Sequence, residues 1–242
     1  MTAVAGGGQV SVWAPDLYAD GLRAATSTVA RARDWLLRYD NGATAPMDFD
    51  RWCAPLTPGD SGLLARCTGP TLDVGCGPGR LTAELAHRGV PALGIDISPG
   101  ALRIARDAGA AVLRRSVFDR VPGAGTWSVV LLADGNIGIG GDPVVLLRRA
   151  ADLLGPHGVV VCELDGPDTA TGPVRVRIEA GDGARSQWFD WAHVGVDAIA
   201  GIAGDATLSC GTIWQEAGRW FATLGKTTLD PAAVRPSAGT DD

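Results

Sequence analysis

Leu72-Asp73-Val74-Gly75-Cys76-Gly77-Pro78-Gly79-Arg80 places an acid and three alternating glycines directly after an apolar stretch. Glycine lacks a Cβ, so it adopts left-handed dihedrals and lets a ligand approach the backbone itself. The spacing here is Gly-x-Gly-x-Gly, with Asp73 two residues ahead of the first glycine. A dinucleotide fingerprint is instead G-x-G-x-x-G, whose third glycine packs helix on strand near a pyrophosphate. This loop suits a cofactor that carries an amino-acid end rather than a pyrophosphate. Roughly 20 residues on, where such folds place a ribose-binding acid, Gly94-Ile95-Asp96-Ile97-Ser98 supplies a second carboxylate. Asp96 is positioned for both hydroxyls of a ribose, or else it caps the helix that starts at Pro99.

Two further constellations are candidates for the chemistry. Asp134 and Asn136 open a glycine-rich run, Ala133 to Pro143, and are the first candidates for an active-site floor. The competing reading is a connector whose Asp142 caps the next helix. Downstream, Val174 to Val194 reads as a hairpin around Gly181-Asp182-Gly183. Alternation puts Phe189, Trp191 and His193 of its return strand on one face, either lining a pocket for a flat or cationic substrate or forming core. Arg177 shares the other strand's polar face with Arg175 and Glu179, a face that binds substrate or is simply solvated. Trp52, Tyr18 and Tyr39 are candidates to close over the site. His193 and Asp134 compete for the role of general base, whereas His87 and His157 read as structural or exposed.

These residues need a scaffold, and the pattern supplies one. Strands at Thr71–Val74, 92–95, 111–113, 128–133 and 159–163 alternate with helices at 79–88, 99–108 and 143–154. Near-continuous apolar strands separated by helices indicate a parallel sheet covered on both faces, with ligands at the carboxyl ends of its strands. Upstream, Leu17, Leu22, Ala25, Val29, Ala32 and Leu36 recur at helical spacing, so one or two helices are expected between Asp16 and Tyr39, ended by Asp40-Asn41-Gly42. A short helix is expected near 60–66 with Asp60 as its N-cap. After the hairpin come a helix near 196–202 and strands at 207–214 and 219–224. Residues 1–11 and 230–242 read as mobile ends.

With 46% hydrophobic and 20% charged residues, the chain has the material for a soluble globular core. A net charge of -6 and a single lysine, Lys226, leave no basic stripe for a nucleic acid. Five cysteines without a C-x-x-C pair suit a reduced, cytoplasmic protein better than a disulfide or metal framework. Neither a signal peptide nor an apolar run of about 20 residues is visible, so no membrane partner is expected.

Leu72 to Arg80, Gly94 to Ser98, Trp127 to Ala133 and Leu153 to Glu163 together resemble the class I S-adenosylmethionine-dependent methyltransferases, in the small-molecule group of bacteria. The resemblance covers roughly residues 68–165 and implies an α/β, Rossmann-like, seven-stranded and mostly parallel sheet of order 3-2-1-4-5-7-6. It implies one methyltransferase domain over 1–242. That domain divides into an N-terminal helical cap (1–67), a cofactor core (68–165), and an inserted β-hairpin with the final strands (166–229). By the same resemblance Asp73 orients the amino-acid end of S-adenosylmethionine, with Gly75, Cys76, Gly77 and Gly79 in the loop against it. Asp96 takes the ribose and Ile97 packs on adenine, while Asp134 contributes beside the methyl group. Members of the family often carry an acid after the third strand for the adenine amino group. Here Val117 and Phe118 occupy those positions, so apolar packing and backbone contacts are expected instead, with Asp119 left open. No metal is expected, since Asp165-Gly166 replaces the Asp-Asn pair of divalent-ion members. The implied reaction is methylation of O or N on a small-molecule acceptor, of secondary metabolism by expectation, in a monomer or homodimer. The alternative is a protein that binds the cofactor without transferring methyl.

Overall fold

Thr71-Leu72-Asp73-Val74 alternates its side chains between two buried faces, and that alternation organises the molecule around one sheet. The computed structural model describes residues 12–27 and 35–226, so the expectations for 1–11 and 230–242 lie outside the described residues. In chain order, α1 (Ala14–Thr26), β1 (Trp35–Tyr39), β2 (Thr44–Pro46), α2 (Phe49–Cys53) and α3 (Asp60–Leu64) come first. Next come β3 (Thr71–Val74), α4 (Arg80–His87), β4 (Ala92–Asp96), α5 (Pro99–Asp107), β5 (Val112–Arg114), β6 (Trp127–Leu132), α6 (Pro143–Leu153) and β7 (Leu154–Leu164). The chain then forms β8 (Gly172–Ala180), β9 (Phe189–His193), α7 (Ile199–Asp205), β10 (Leu208–Glu216) and β11 (Arg219–Lys226).

The main sheet runs β10-β11-β7-β6-β3-β4-β5. Counted by its own seven strands in chain order, that is 3-2-1-4-5-7-6, the expected topology. β3 to β7 pair in parallel, and β11 is antiparallel to both β7 and β10. One face of the sheet, with Leu72, Val130, Leu132 and Val160, packs on α6 and α7 through Leu146, Leu147 and Ile199. The other, with Leu131, Val161 and Phe221, packs on α3 and α4 through Leu63, Leu81 and Leu85. Each fully buried leucine of this kind contributes roughly 1.5–3 kcal/mol. The helix starts read from sequence are present: Ser98 caps α5 and Asp142 caps α6, each with proline in the first turn.

The cap differs from expectation. Trp35–Tyr39 fits helical spacing, yet it is strand β1, paired antiparallel with β8 from Trp35↔Ala180 to Tyr39↔Val176. Aromatic and apolar residues suit a strand equally well, and the distant partner β8 decides between the two. Asp40-Asn41-Gly42 is the turn between β1 and β2. The cap is therefore a four-stranded sheet, β2-β1-β8-β9, with α1 and α2 packed beside it. The hairpin β8–β9 is half of that sheet rather than a separate insertion. Its register puts Val176 opposite Phe189 and Val174 opposite Trp191, so the expected alternation of the return strand holds. Gly59, with φ +94°, occupies the N-cap of α3 in place of Asp60.

Candidate active site

A cavity of about 610 Å³ opens between the carboxyl ends of β3, β4, β5 and β6 and the inner face of the cap. This is the size of an ordinary small-molecule site. The glycine loop forms its floor on one side. Gly75 has φ +71°, and a side chain there would strike the Asn136 amide, whose Nδ2 donates to the Val74 and Gly75 carbonyls at 2.9 and 3.0 Å. Asn136 thus clamps the loop from the turn that follows β6. A side chain on Gly77 would meet the Tyr18 hydroxyl at 2.8 Å, so α1 covers the loop from above.

The two acids of the sequence pattern both line the cavity. Strand alternation turns Asp73 toward α4, where the Thr82 hydroxyl donates to Oδ2 at 2.6 Å. Burial, reinforced by Asp134, pushes its pKa up to about 6 against that hydrogen bond. Asp96 accepts from the Gly77 amide at 3.0 Å and the Ser98 amide at 2.7 Å, tying the end of β4 to the loop. Since Ser98 itself caps α5, the capping alternative for Asp96 is superseded. Ile97 and Phe118 are 48% and 45% exposed although large and apolar, because both face the cavity beside Val117. Asp119 is not among the lining residues, and its carbonyl accepts from Arg149. Beyond Asp96, Ile97, Val117 and Phe118 thus form an apolar patch beside Arg115 and Ser116.

Beneath the floor lies an ionic network that sequence reading did not find. Arg80 pairs with Asp60 and Asp134, Arg219 with Asp60 and Glu163, and Arg51 with Asp134. Three guanidiniums thus meet three carboxylates, with Asp60 fully buried. The network joins α2, α3 and α4 to the ends of β6 and β7 and the start of β11. Burial raises the Asp134 pKa while Arg80 opposes it. Both Asp134 oxygens are taken, Oδ1 by Arg51 and Oδ2 by Arg80 at 2.8 Å each. Asp134 is thus held in the floor by two guanidiniums.

Of the other sequence candidates, Cys76, Trp52, Phe189 and Trp191 line the cavity, while Gly79, Arg177 and His193 do not. Gly79, at φ +85°, is the N-cap of α4, and a side chain there would strike Ala105 of α5 at 2.6 Å, so its work is helix packing. Arg177 lies on the outer face of β8, bound to Glu179 and over the Trp188 ring. His193 lies on the inner face of the cap sheet but beyond the cavity. There its Nδ1 faces Asp165 at 3.1 Å and its Nε2 the Tyr39 hydroxyl at 3.0 Å. The hydrogen bond with Asp165 raises its pKa, against partial burial. Through these two bonds His193 joins cap to core at the end of β7.

Residues 71–158, which carry the glycine loop, Asp96 and Asp134, match the family model described as a methyltransferase domain. Over this span the chain is similar to the methyltransferase-domain family. Two curated relatives align with parts of it. Over 95 residues the chain is 33% identical to a ubiquinone biosynthesis O-methyltransferase of Azorhizobium caulinodans, covering 37% of this chain and 38% of that protein. Over 140 residues it is 34% identical to a trans-aconitate 2-methyltransferase of Methylobacterium radiotolerans, covering 55% and 50%. The chain thus spans half or less of the length of these curated relatives. Likeness of fold extends to solved structures. A Bacteroides fragilis SAM-dependent methyltransferase solved with S-adenosyl-L-homocysteine superposes with a TM-score of 0.70 at 21% identity, over 87% of this chain and 92% of that one. Among the described residues no helix is long and apolar enough to cross a membrane, and no three His, Cys, Asp or Glu side chains gather as a metal site.

Proposed function

We propose that the chain transfers the methyl group of S-adenosylmethionine to an oxygen or nitrogen of a small molecule. The observation that carries this reading is the convergence of Asp73, the glycine loop, Asp96 and the Ile97–Val117–Phe118 wall in one cavity. In this reading Asp73 meets the cofactor's ammonium, the backbone of Gly75 to Gly77 lies along its amino-acid end, Asp96 takes the ribose hydroxyls, and the apolar wall takes adenine. The sulfonium methyl then faces the cap half of the cavity, beside Asn136. Transfer breaks the S–CH₃ bond and forms O–CH₃ or N–CH₃. Sulfur keeps the bonding pair and leaves as the neutral thioether S-adenosylhomocysteine, and the acceptor's proton passes to water.

The chain's own contribution is positioning and desolvation. Holding nucleophile and methyl in line supplies roughly 7–11 kcal/mol through effective molarity. The test is incubation of the purified chain with S-adenosylmethionine and a panel of hydroxyl and amine acceptors, read by mass. Transfer gives S-adenosylhomocysteine and an acceptor heavier by one methylene. Tight binding of intact cofactor without turnover across the panel would favour the non-catalytic alternative.

The raised pKa of Asp73 gives this reading a pH signature. Only the ionised carboxylate attracts an ammonium, and in the free protein Asp73 gains its proton as pH falls through about 6. Affinity for S-adenosylhomocysteine is therefore expected to be flat above that pH and to weaken below it, approaching ~tenfold per pH unit. Calorimetric titrations from pH 5 to 8 check this, with Asp73→Asn expected to be weak and pH-independent. A wild-type profile equally flat across pH 6 would remove Asp73 from the ammonium site.

A further inference from the structure

The two halves of the cavity differ in chemistry. The core half carries the polar groups: Asp73, Asp96, Asp134, Arg80 and Arg115. The cap half is formed by Leu37, Met47, Trp52, Ile178, Phe189 and Trp191, with Asp190 at its edge. Seven aromatic residues line the whole cavity, in a chain that has only eight Trp, two Tyr and four Phe. By contrast, the largest buried cluster of the core holds no aromatic residue among its buried members. Half of the chain's aromatic side chains thus gather around this one cavity. Phe189 and Trp191 stand edge to face at 6.3 Å and 88°, and Trp52 is held edge-on by Phe49 at 5.1 Å. Rings fixed in this way offer faces and edges to another flat ring.

Charge narrows the class further. Arg80 is engaged by Asp60 and Asp134. Arg115 is the other cation in the wall, with its buried Nε unpartnered among the described residues. Its backbone amide, however, donates to the Asp96 carbonyl at 3.0 Å, which places it with the nucleoside end. The cap half therefore presents no cation among its lining residues to pair with an acceptor's carboxylate, and burying such a carboxylate without a partner is costly.

We propose that the methyl acceptor is a planar aromatic molecule, uncharged or cationic, that carries a hydroxyl or amine nucleophile and stacks against the Phe189–Trp191–Trp52 wall. Polycarboxylates are excluded from the site. This rests on the methyltransferase reading, and the experiment separates the two. Calorimetry first measures S-adenosylhomocysteine binding to the chain. Naphthol, aminoquinoline, trans-aconitate and citrate are then titrated into the S-adenosylhomocysteine-loaded protein. The expected result is saturable binding of naphthol or aminoquinoline, and none of either carboxylate at the same concentration. Trp191→Leu is expected to weaken the aromatic ligand about tenfold while cofactor affinity stays within about twofold, which also shows that the variant is folded. Cofactor binding without aromatic binding, or with tighter carboxylate binding, overturns the acceptor class alone. Loss of cofactor binding in the wild type overturns the methyltransferase reading. Aromatic binding to the unloaded chain would then still support the acceptor wall, and its absence would overturn that too.

Discussion

Replacing Arg219 by methionine is expected to lower the melting temperature by roughly 6–20 °C, since stranding a buried charge costs about 3–5 kcal/mol and each kcal/mol is worth ~2–4 °C in a chain of this size. Arg219 grips both oxygens of Glu163 at 2.8 and 2.7 Å and reaches Asp60 at 2.7 Å. Without it, Asp60 keeps Arg80 as a charged partner beside the Thr57 amide and hydroxyl, and Glu163 keeps Arg51, at 3.5 Å, beside the Asp134 amide. Burial pushes both carboxyls up, but the Arg219 hydrogen bond and neighbouring partners outweigh it and hold both below the ordinary carboxylate range. A depressed folded pKa contributes stability above the unfolded values of about 3.9 and 4.3 and loses it as pH falls through the folded value. In the variant the stranded carboxylates are costly at neutral pH and become tolerable once protonated. The gap between wild type and variant is therefore widest near pH 7 and narrows toward about pH 4. Melting curves across that range check the sign. Neutralising the partners as well, with Glu163→Gln and Asp60→Asn, is expected to recover much of the loss. A shift below about 2 °C at neutral pH, under 1 kcal/mol, would mean the network is not coupled to folding.

The second large effect concerns the cofactor. Asp96→Ala is expected to weaken S-adenosylhomocysteine binding by roughly two to four orders of magnitude, because charge-assisted hydrogen bonds are worth about 1.5–3 kcal/mol each and two ribose hydroxyls lose theirs. The substitution also frees the Gly77 and Ser98 amides, which the carboxylate now accepts. Both lie beside an open cavity where water replaces the lost acceptor, so the fold is expected to survive with a small change in melting temperature. Asp96→Asn keeps the shape, offers one acceptor oxygen, and is expected to fall between. An unchanged dissociation constant in the alanine variant would take the ribose away from Asp96.

What was legible in the sequence follows from how local each feature is. The loop, Asp96 and the strand order rest on short patterns in which glycine conformation and strand ends dictate position. β3 was located to the residue, and Asp73 and Asp96 reached the cavity together. The cap was misread because Trp35–Tyr39 gains its strand character from β8, more than a hundred residues later. Asp60 looked like a cap because Asp before an apolar run usually is one; only the fold brings Arg80 and Arg219 to it. His193 was assigned to the right face of its strand, but a face does not say how far along the cavity extends. Arg80 ended the quoted motif without a role, and the one available signal was a charged residue just inside a helix that had to be buried.

What the Gly-x-Gly-x-Gly loop holds decides between a methyl donor and a dinucleotide. Calorimetric titration of the purified chain with S-adenosylhomocysteine, alongside NAD⁺ at the same concentrations, measures it. The expected result is saturable one-to-one binding of S-adenosylhomocysteine and no heat from the dinucleotide. Silence with S-adenosylhomocysteine, or equal affinity for NAD⁺, would contradict the assignment of this cavity to a methyl donor.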